Sequence, residues 1–131
     1  MNRRVNIEIM EGFVCKGEAC PSVVAEAEAK LGLNFSEEYK DLLEKYSIFA
    51  IKGHEFTGIA KTKGQSVVDV TMLHCEKYAD FPKNMYVIET VGVDGLVILQ
   101  DANGYIYTYQ PGTIPERICN SLEEYLEEIK G

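Results

Sequence analysis

Four cysteines, Cys15, Cys20, Cys75 and Cys119, and two histidines, His54 and His74, are the residues of this chain best suited to metal or nucleophilic chemistry. A structural zinc site asks for repeated, tightly spaced ligand pairs. Here Cys15 and Cys20 make one wide pair, and His74-Cys75 is an adjacent pair that cannot easily ligate one ion together. Cys119 stands alone. Small buried or idle thiols are the plainer reading, and no metal site is expected. A Cys–His nucleophile needs a base within hydrogen-bond reach and a third group to orient it. His74 and Cys75 diverge on either a helix or a strand, and His54, in Lys52-Gly53-His54-Glu55, reads as a surface residue at a strand start. The carboxylate pairs Glu37-Glu38, Glu123-Glu124 and Glu127-Glu128 fall on outward helix faces and are most simply solvated. No Gly-rich loop opens a helix to cradle phosphate, and no basic patch carries interleaved aromatics. No reaction class and no cofactor is indicated, so no catalytic residue is assigned. An enzyme working through Cys75 or His54 is the least favoured of three functional readings.

The elements that position these residues follow from spacing. Val5, Ile7 and Ile9 alternate with polar residues, which predicts a short first strand. Residues 10–20 show no period and read as loop. From Pro21, residues Val24, Ala27 and Leu31 share one helical face, with Gly32 as the stop. A second helix starts at Ser36 as N-cap and stacks Tyr39, Leu42, Leu43 and Tyr46. A third begins at Ser121, with Glu124 completing a capping box, and stacks Leu122, Tyr125, Leu126 and Ile129. Between the second and third helices the period changes to two. Strands are expected at Glu55–Ile59, Ser66–Thr71, Met85–Val91, Leu96–Asp101 and Tyr105–Tyr109, with a short helix at His74–Ala79. Asn103-Gly104 predicts a tight hairpin in which both central residues take positive φ. Tyr105, Tyr107 and Tyr109 point to one side of the last strand. They are either strand residues packing on their neighbours, the favoured reading, or an open tyrosine face.

The chain has 131 residues, which suits one domain, 1–131, without staples. Thirteen Lys+Arg against 21 Asp+Glu give a formal net charge of −8. Such a surface repels phosphate backbones and anionic lipid, so neither nucleic acid nor membrane is an expected partner. It would attract a basic protein, although acidity for solubility alone is the more economical explanation. No apolar stretch follows the charged N-terminus, and the apolar run Leu96–Leu99 is far too short to span a bilayer. A cytoplasmic location with reduced thiols is expected.

The run Glu28-Ala29-Lys30-Leu31-Gly32-Leu33-Asn34-Phe35-Ser36-Glu37-Glu38-Tyr39-Lys40-Asp41-Leu42-Leu43 resembles the opening motif of the SUKH superfamily. Similar matches follow at His54–Ile59, a strand ending in Gly and an apolar residue, and at the Pro-led strand Phe81–Ile88. The Asn/Gly hairpin at Asn103–Tyr107 and the closing helix at Cys119–Leu126 complete the set. The resemblance spans residues 22–129. The sequence departs from the pattern where Ser36 replaces a usual Pro, where Ser47-Ile48-Phe49 replaces a Gly-rich turn, and where Tyr109-Gln110 stands in place of Trp-Asp.

That resemblance implies an α+β fold: a mainly antiparallel meander sheet, two helices before it, and one C-terminal helix packed on one face. It further implies a non-catalytic immunity protein that binds and neutralises a toxin encoded nearby, a basic nuclease being the kind the acidic surface suits. The alternative is a regulatory or scaffolding domain, as in the fungal regulators of glucan and cell-wall synthesis. The expected partner-binding face consists of Glu55, Asp69, Asp94, Asp101, Tyr107 and Tyr109 around the sheet.

Overall fold

The computed structural model describes residues 7–91 and 95–130. A 3-10 turn at Ile7–Ile9 leads into β1 (Val14–Cys15), α1 (Pro21–Leu31) and α2 (Glu37–Tyr46). Then come β2 (Phe49–Ile51), β3 (His54–Phe56), a second 3-10 turn at Lys63–Gln65 and α3 (Val67–Lys77). The chain closes with β4 (Met85–Thr90), β5 (Val97–Asp101), β6 (Ile106–Tyr109), β7 (Glu116–Cys119) and α4 (Leu122–Lys130). The strands form one antiparallel sheet in chain order from β1 to β7, so the α+β meander is the observed architecture. No helix of the described residues is long and apolar enough to cross a membrane.

Helix boundaries fall where local chemistry sets them. Pro21 opens α1, and Gly32 ends it at φ 69°, donating its N–H to the carbonyls of Glu28 and Ala29. The Ser36 hydroxyl accepts the Tyr39 N–H at 3.1 Å, and that of Ser121 accepts the Glu124 N–H at 3.0 Å. The return arm of the second cap is displaced by one residue: Glu124 Oε1 accepts the Asn120 N–H.

Three expectations are corrected. Ser66–Thr71 is not a strand. Ser66 caps α3 by accepting the Asp69 N–H, and Val67, Val70 and Thr71 are buried at helical spacing. The β-branched run that suggested a strand costs only a few tenths of a kcal/mol per residue in a helix, less than burial returns. Ile7–Ile9 is a 3-10 turn that buries Ile7 and leaves Ile9 80% exposed, where a strand would have put both on one face; Val5 lies outside the described residues. The β5–β6 turn also differs. Gly104 has φ 94° and Asn103 does not have positive φ. Asp101 instead pairs its N–H with the Tyr105 carbonyl and spans a three-residue loop. Two consecutive positive-φ residues occur at Lys52-Gly53, which joins β2 to β3.

The sheet is packed on both faces. Ile98 and Ile106 look toward α2 and α4, joining Tyr39, Leu43, Tyr86, Leu122 and Leu126 in the larger core. Val97 and Leu99 alternate to the other face and meet Val70 of α3, Phe81, Val87 and Tyr109. The tyrosine side of β6 is closed by α3 and Phe81, which agrees with the favoured reading of strand residues packing on their neighbours. Thr71 fastens α3 to the sheet by accepting the Val87 N–H at 3.0 Å.

A buried polar network explains the opening motif. Gln100 is fully buried, and its Oε1 accepts from the Ser36 and Tyr86 hydroxyls at 3.0 and 2.7 Å. Its Nε2 donates to Glu38 and to the Gly104 carbonyl. The Tyr86 oxygen in turn accepts the Ser36 N–H. Burial pushes the Tyr86 and Tyr39 phenols well above the ordinary tyrosine value.

Candidate functional site

Where α3 stops covering the second face, a cleft opens over β1–β3. Val14 pairs with Ala50 and Ala50 with Glu55, so these three share one row on that face. Phe49, Ile51 and Phe56 alternate to the opposite face and sink into the larger core. The cleft measures about 520 Å3 and is walled by Lys16 and Ile48 on one side and by Gly64 and Gln65 on the other. Val14 is 63% exposed and Val91 42%. Glu55 is the exposed carboxylate of the group.

Ile48 reaches this wall through an unusual backbone. Ser47 ends α2 at φ 65° and ψ −69°, and the Ile48 N–H bonds back to the Tyr46 carbonyl at 2.8 Å. This is a strained γ-turn for a residue with a side chain. The Ser47 hydroxyl donates to the Gly17 carbonyl, which helps to hold it. Gly58 lies against the same turn, and a Cβ there would run into the Ser47 carbonyl oxygen.

Beside the cleft lies a polar triad that sequence reasoning missed. Glu89 is 4% exposed, and its Oε1 accepts the Tyr125 hydroxyl at 2.6 Å. Its Oε2 meets His54 Nδ1 at 2.7 Å, and the His54 side chain is 39% exposed. An ionised carboxylate only accepts, so the imidazole donates from Nδ1. Burial, and then the Glu89 carboxylate, push the Tyr125 phenol far above its ordinary value. The available signal was one acidic residue inside the apolar strand Met85–Thr90. The triad has the base and orienting group of a hydrolase, but among the described residues His54 bonds to no nucleophilic side chain.

The six expected partner-binding residues are dispersed. Glu55 is in the cleft. Asp69 is half-buried in the first turn of α3, where a negative charge suits the helix dipole. Asp94 lies outside the described residues. Asp101 is 8% exposed; its Oδ1 accepts the Asn103 and Tyr105 N–H groups and its Oδ2 the Tyr107 hydroxyl. Tyr109 is 1% exposed and donates to Asp80 at 2.7 Å; burial, then that carboxylate, raise its phenol to about 12. Asp101 and Tyr107 are thus brought together, but as an internal clip on the β5–β6 turn.

Cys15 and Cys20 are exposed, Cys75 is half-buried and Cys119 is buried. Among the described residues, the first two do not gather with His74 and Cys75 into a ligand set. Cys119, Glu124 and Glu128 do lie within 4.8 Å of one another. Burial, then Glu128 and Glu124, push that thiol up to about 11, away from the thiolate a metal would take.

A family model described as SMI1-KNR4 cell-wall, in the SUKH group, matches residues 17–130. No curated protein matches the chain.

Proposed function

This chain belongs to the SUKH superfamily, in its SMI1-KNR4 family, and from that premise we propose that it acts by binding a protein partner and performs no chemistry. The specific reading is an immunity protein that neutralises a co-encoded toxin, a basic nuclease being the favoured class. The observation that carries it is the family match together with an open, carboxylate-bearing cleft on an acidic molecule. Complementary charge of this kind speeds encounter more than it tightens the complex.

The test is co-expression with the toxin-like product of the adjacent gene. Rescue of growth, and a stable complex between the purified proteins, are the expected results. Failure of rescue against a neighbour that is toxic on its own removes the immunity reading. The second reading, a regulatory or scaffolding domain, is favoured by the cell-wall description of the matched family. It requires that a pull-down from unstressed cells recover a housekeeping partner of the cell-wall machinery.

A further inference from the structure

Asn103-Gly104 is a reactive pair as well as a turn. Asparagine is thermally labile, most of all before glycine, where no side chain shields the following nitrogen. Elsewhere in this chain the residue after Asn is Arg3, Ile7, Phe35, Met85 or Ser121. In the reaction the Gly104 nitrogen attacks Asn103 Cγ. The Cγ–Nδ2 bond breaks, ammonia leaves with the proton of the Gly104 amide, and a succinimide ring closes. Water then opens either carbonyl of the ring. The product is aspartate or, with the backbone rerouted through Cβ, isoaspartate. The fold occupies the groups that must move. Asn103 is exposed, but Gly104 is buried. The Gly104 N–H donates to the Asp101 carbonyl at 2.9 Å, and the Gly104 carbonyl accepts from Gln100 Nε2 at 3.1 Å. On either side, Asp101 Oδ1 accepts the Asn103 and Tyr105 N–H groups at 3.0 and 3.1 Å. Ring closure requires the Gly104 amide to leave its acceptor, lose its proton and swing toward Asn103 Cγ. These hydrogen bonds resist that motion, and through Gln100 they run into the buried network of Ser36, Glu38 and Tyr86.

We infer that Asn103-Gly104 is a self-modification site which the fold keeps closed: it deamidates only when the β5–β6 turn opens, and the isoaspartyl product no longer closes that turn onto Gln100. The extra backbone carbon at residue 103 displaces the Gly104 carbonyl, one of the two acceptors of Gln100 Nε2. A covalent change at an exposed turn is thereby felt in the core as a loss of stability. This chemistry is separate from the partner binding proposed above and is the same whichever partner the chain takes.

The test incubates the folded full chain, the same chain unfolded in urea, and the blocked peptide Asp-Ala-Asn-Gly-Tyr in one mildly alkaline buffer. Mass spectrometry follows the amide-to-acid mass gain, with fragment ions placing it at residue 103. The unfolded chain should match the peptide, and the folded chain should react about tenfold or more slowly, because reaction waits on local opening. Asp101→Ala removes the side-chain acceptor of two turn amides and should move the folded rate several-fold toward the peptide's. Asp101→Asn keeps an acceptor oxygen there and should restore most of the protection. Amide spectra show whether each variant is folded. The purified isoaspartyl form should unfold at lower urea than the aspartyl form, which keeps the parent backbone. A folded chain that reacts as fast as the peptide overturns the inference. So does a folded Asp101→Ala chain with the parent's rate, or an isoaspartyl form as stable as the aspartyl one. If Asp101→Ala does not fold, the ratio of folded to unfolded rates in the parent decides.

Discussion

The carboxylate of Glu38 sits in the first turn of α2 and accepts the Leu122 and Glu123 N–H groups at 2.6 and 3.2 Å, so it caps α4 from across the molecule. It also accepts from Gln100 Nε2. Its neighbour Glu37 points outward, 89% exposed, and pairs with Lys40 at 3.2 Å. Glu38→Ala strands two helix amides and removes one of the two acceptors of the buried Gln100 Nε2, at a cost of about 1–3 kcal/mol. Glu37→Ala should stay within about 0.5 kcal/mol of the parent. Urea unfolding of the two variants separates them. In the sequence the two residues are indistinguishable, and both read as solvated, because a helix face becomes interior only when another element arrives there. Gly58 carries the same lesson. Nothing local demands glycine there, and the close approach of Ser47 does.

At the scale of elements, α3 shows tertiary packing overriding local preference. The run Val67-Val68-Asp69-Val70-Thr71 suits a strand by composition, yet as a helix it fills the fork where β3 and β4 share a single residue pair, Phe56 with Glu89. Thr71 completes the junction by satisfying the Val87 N–H, which that short pairing leaves without a strand partner on its side. Thr71→Val keeps shape but orphans that amide, so it should destabilise by about 1–3 kcal/mol. Faster hydrogen exchange at Val87 is the specific readout; an unchanged rate would separate Thr71 from that role. By contrast α1, α2 and α4 were legible because Pro21, Ser36 and Ser121 act within their own first turns. The edge strands β1 and β7 were not, being two and four residues long with little internal pattern.

For the molecule as a whole, alkali is the informative perturbation. Buried Tyr39, Tyr86 and Tyr125 have phenols raised far above 10, Tyr109 is raised to about 12, and the Cys119 thiol rises from 9.0 to about 11. A raised value means that the folded state holds a proton which the unfolded chain gives up. The contribution is therefore full below the unfolded value and is lost as pH rises toward the folded one. Stability should begin to fall near pH 9 and steepen above 10, by about 1.4 kcal/mol per pH unit for each group still held protonated. Urea midpoints read against tyrosinate absorbance check this, and Tyr109→Phe should reduce the slope. A midpoint that stays flat to pH 11 contradicts the burial of these groups.

The sequence by itself determined the architecture class, three of the four helices with their starts, the central strands β4 to β6 and the family, because each is written in short-range periodicity, capping residues and ordered motifs. Tertiary structure alone decided which acid of a pair is buried, that α3 is a helix, and that Asp101 and Tyr109 turn inward. It also decided that His54, Glu89 and Tyr125 meet beside an uncovered part of the sheet. Burial and long-range hydrogen bonds depend on which surfaces come together, and no local pattern encodes that meeting.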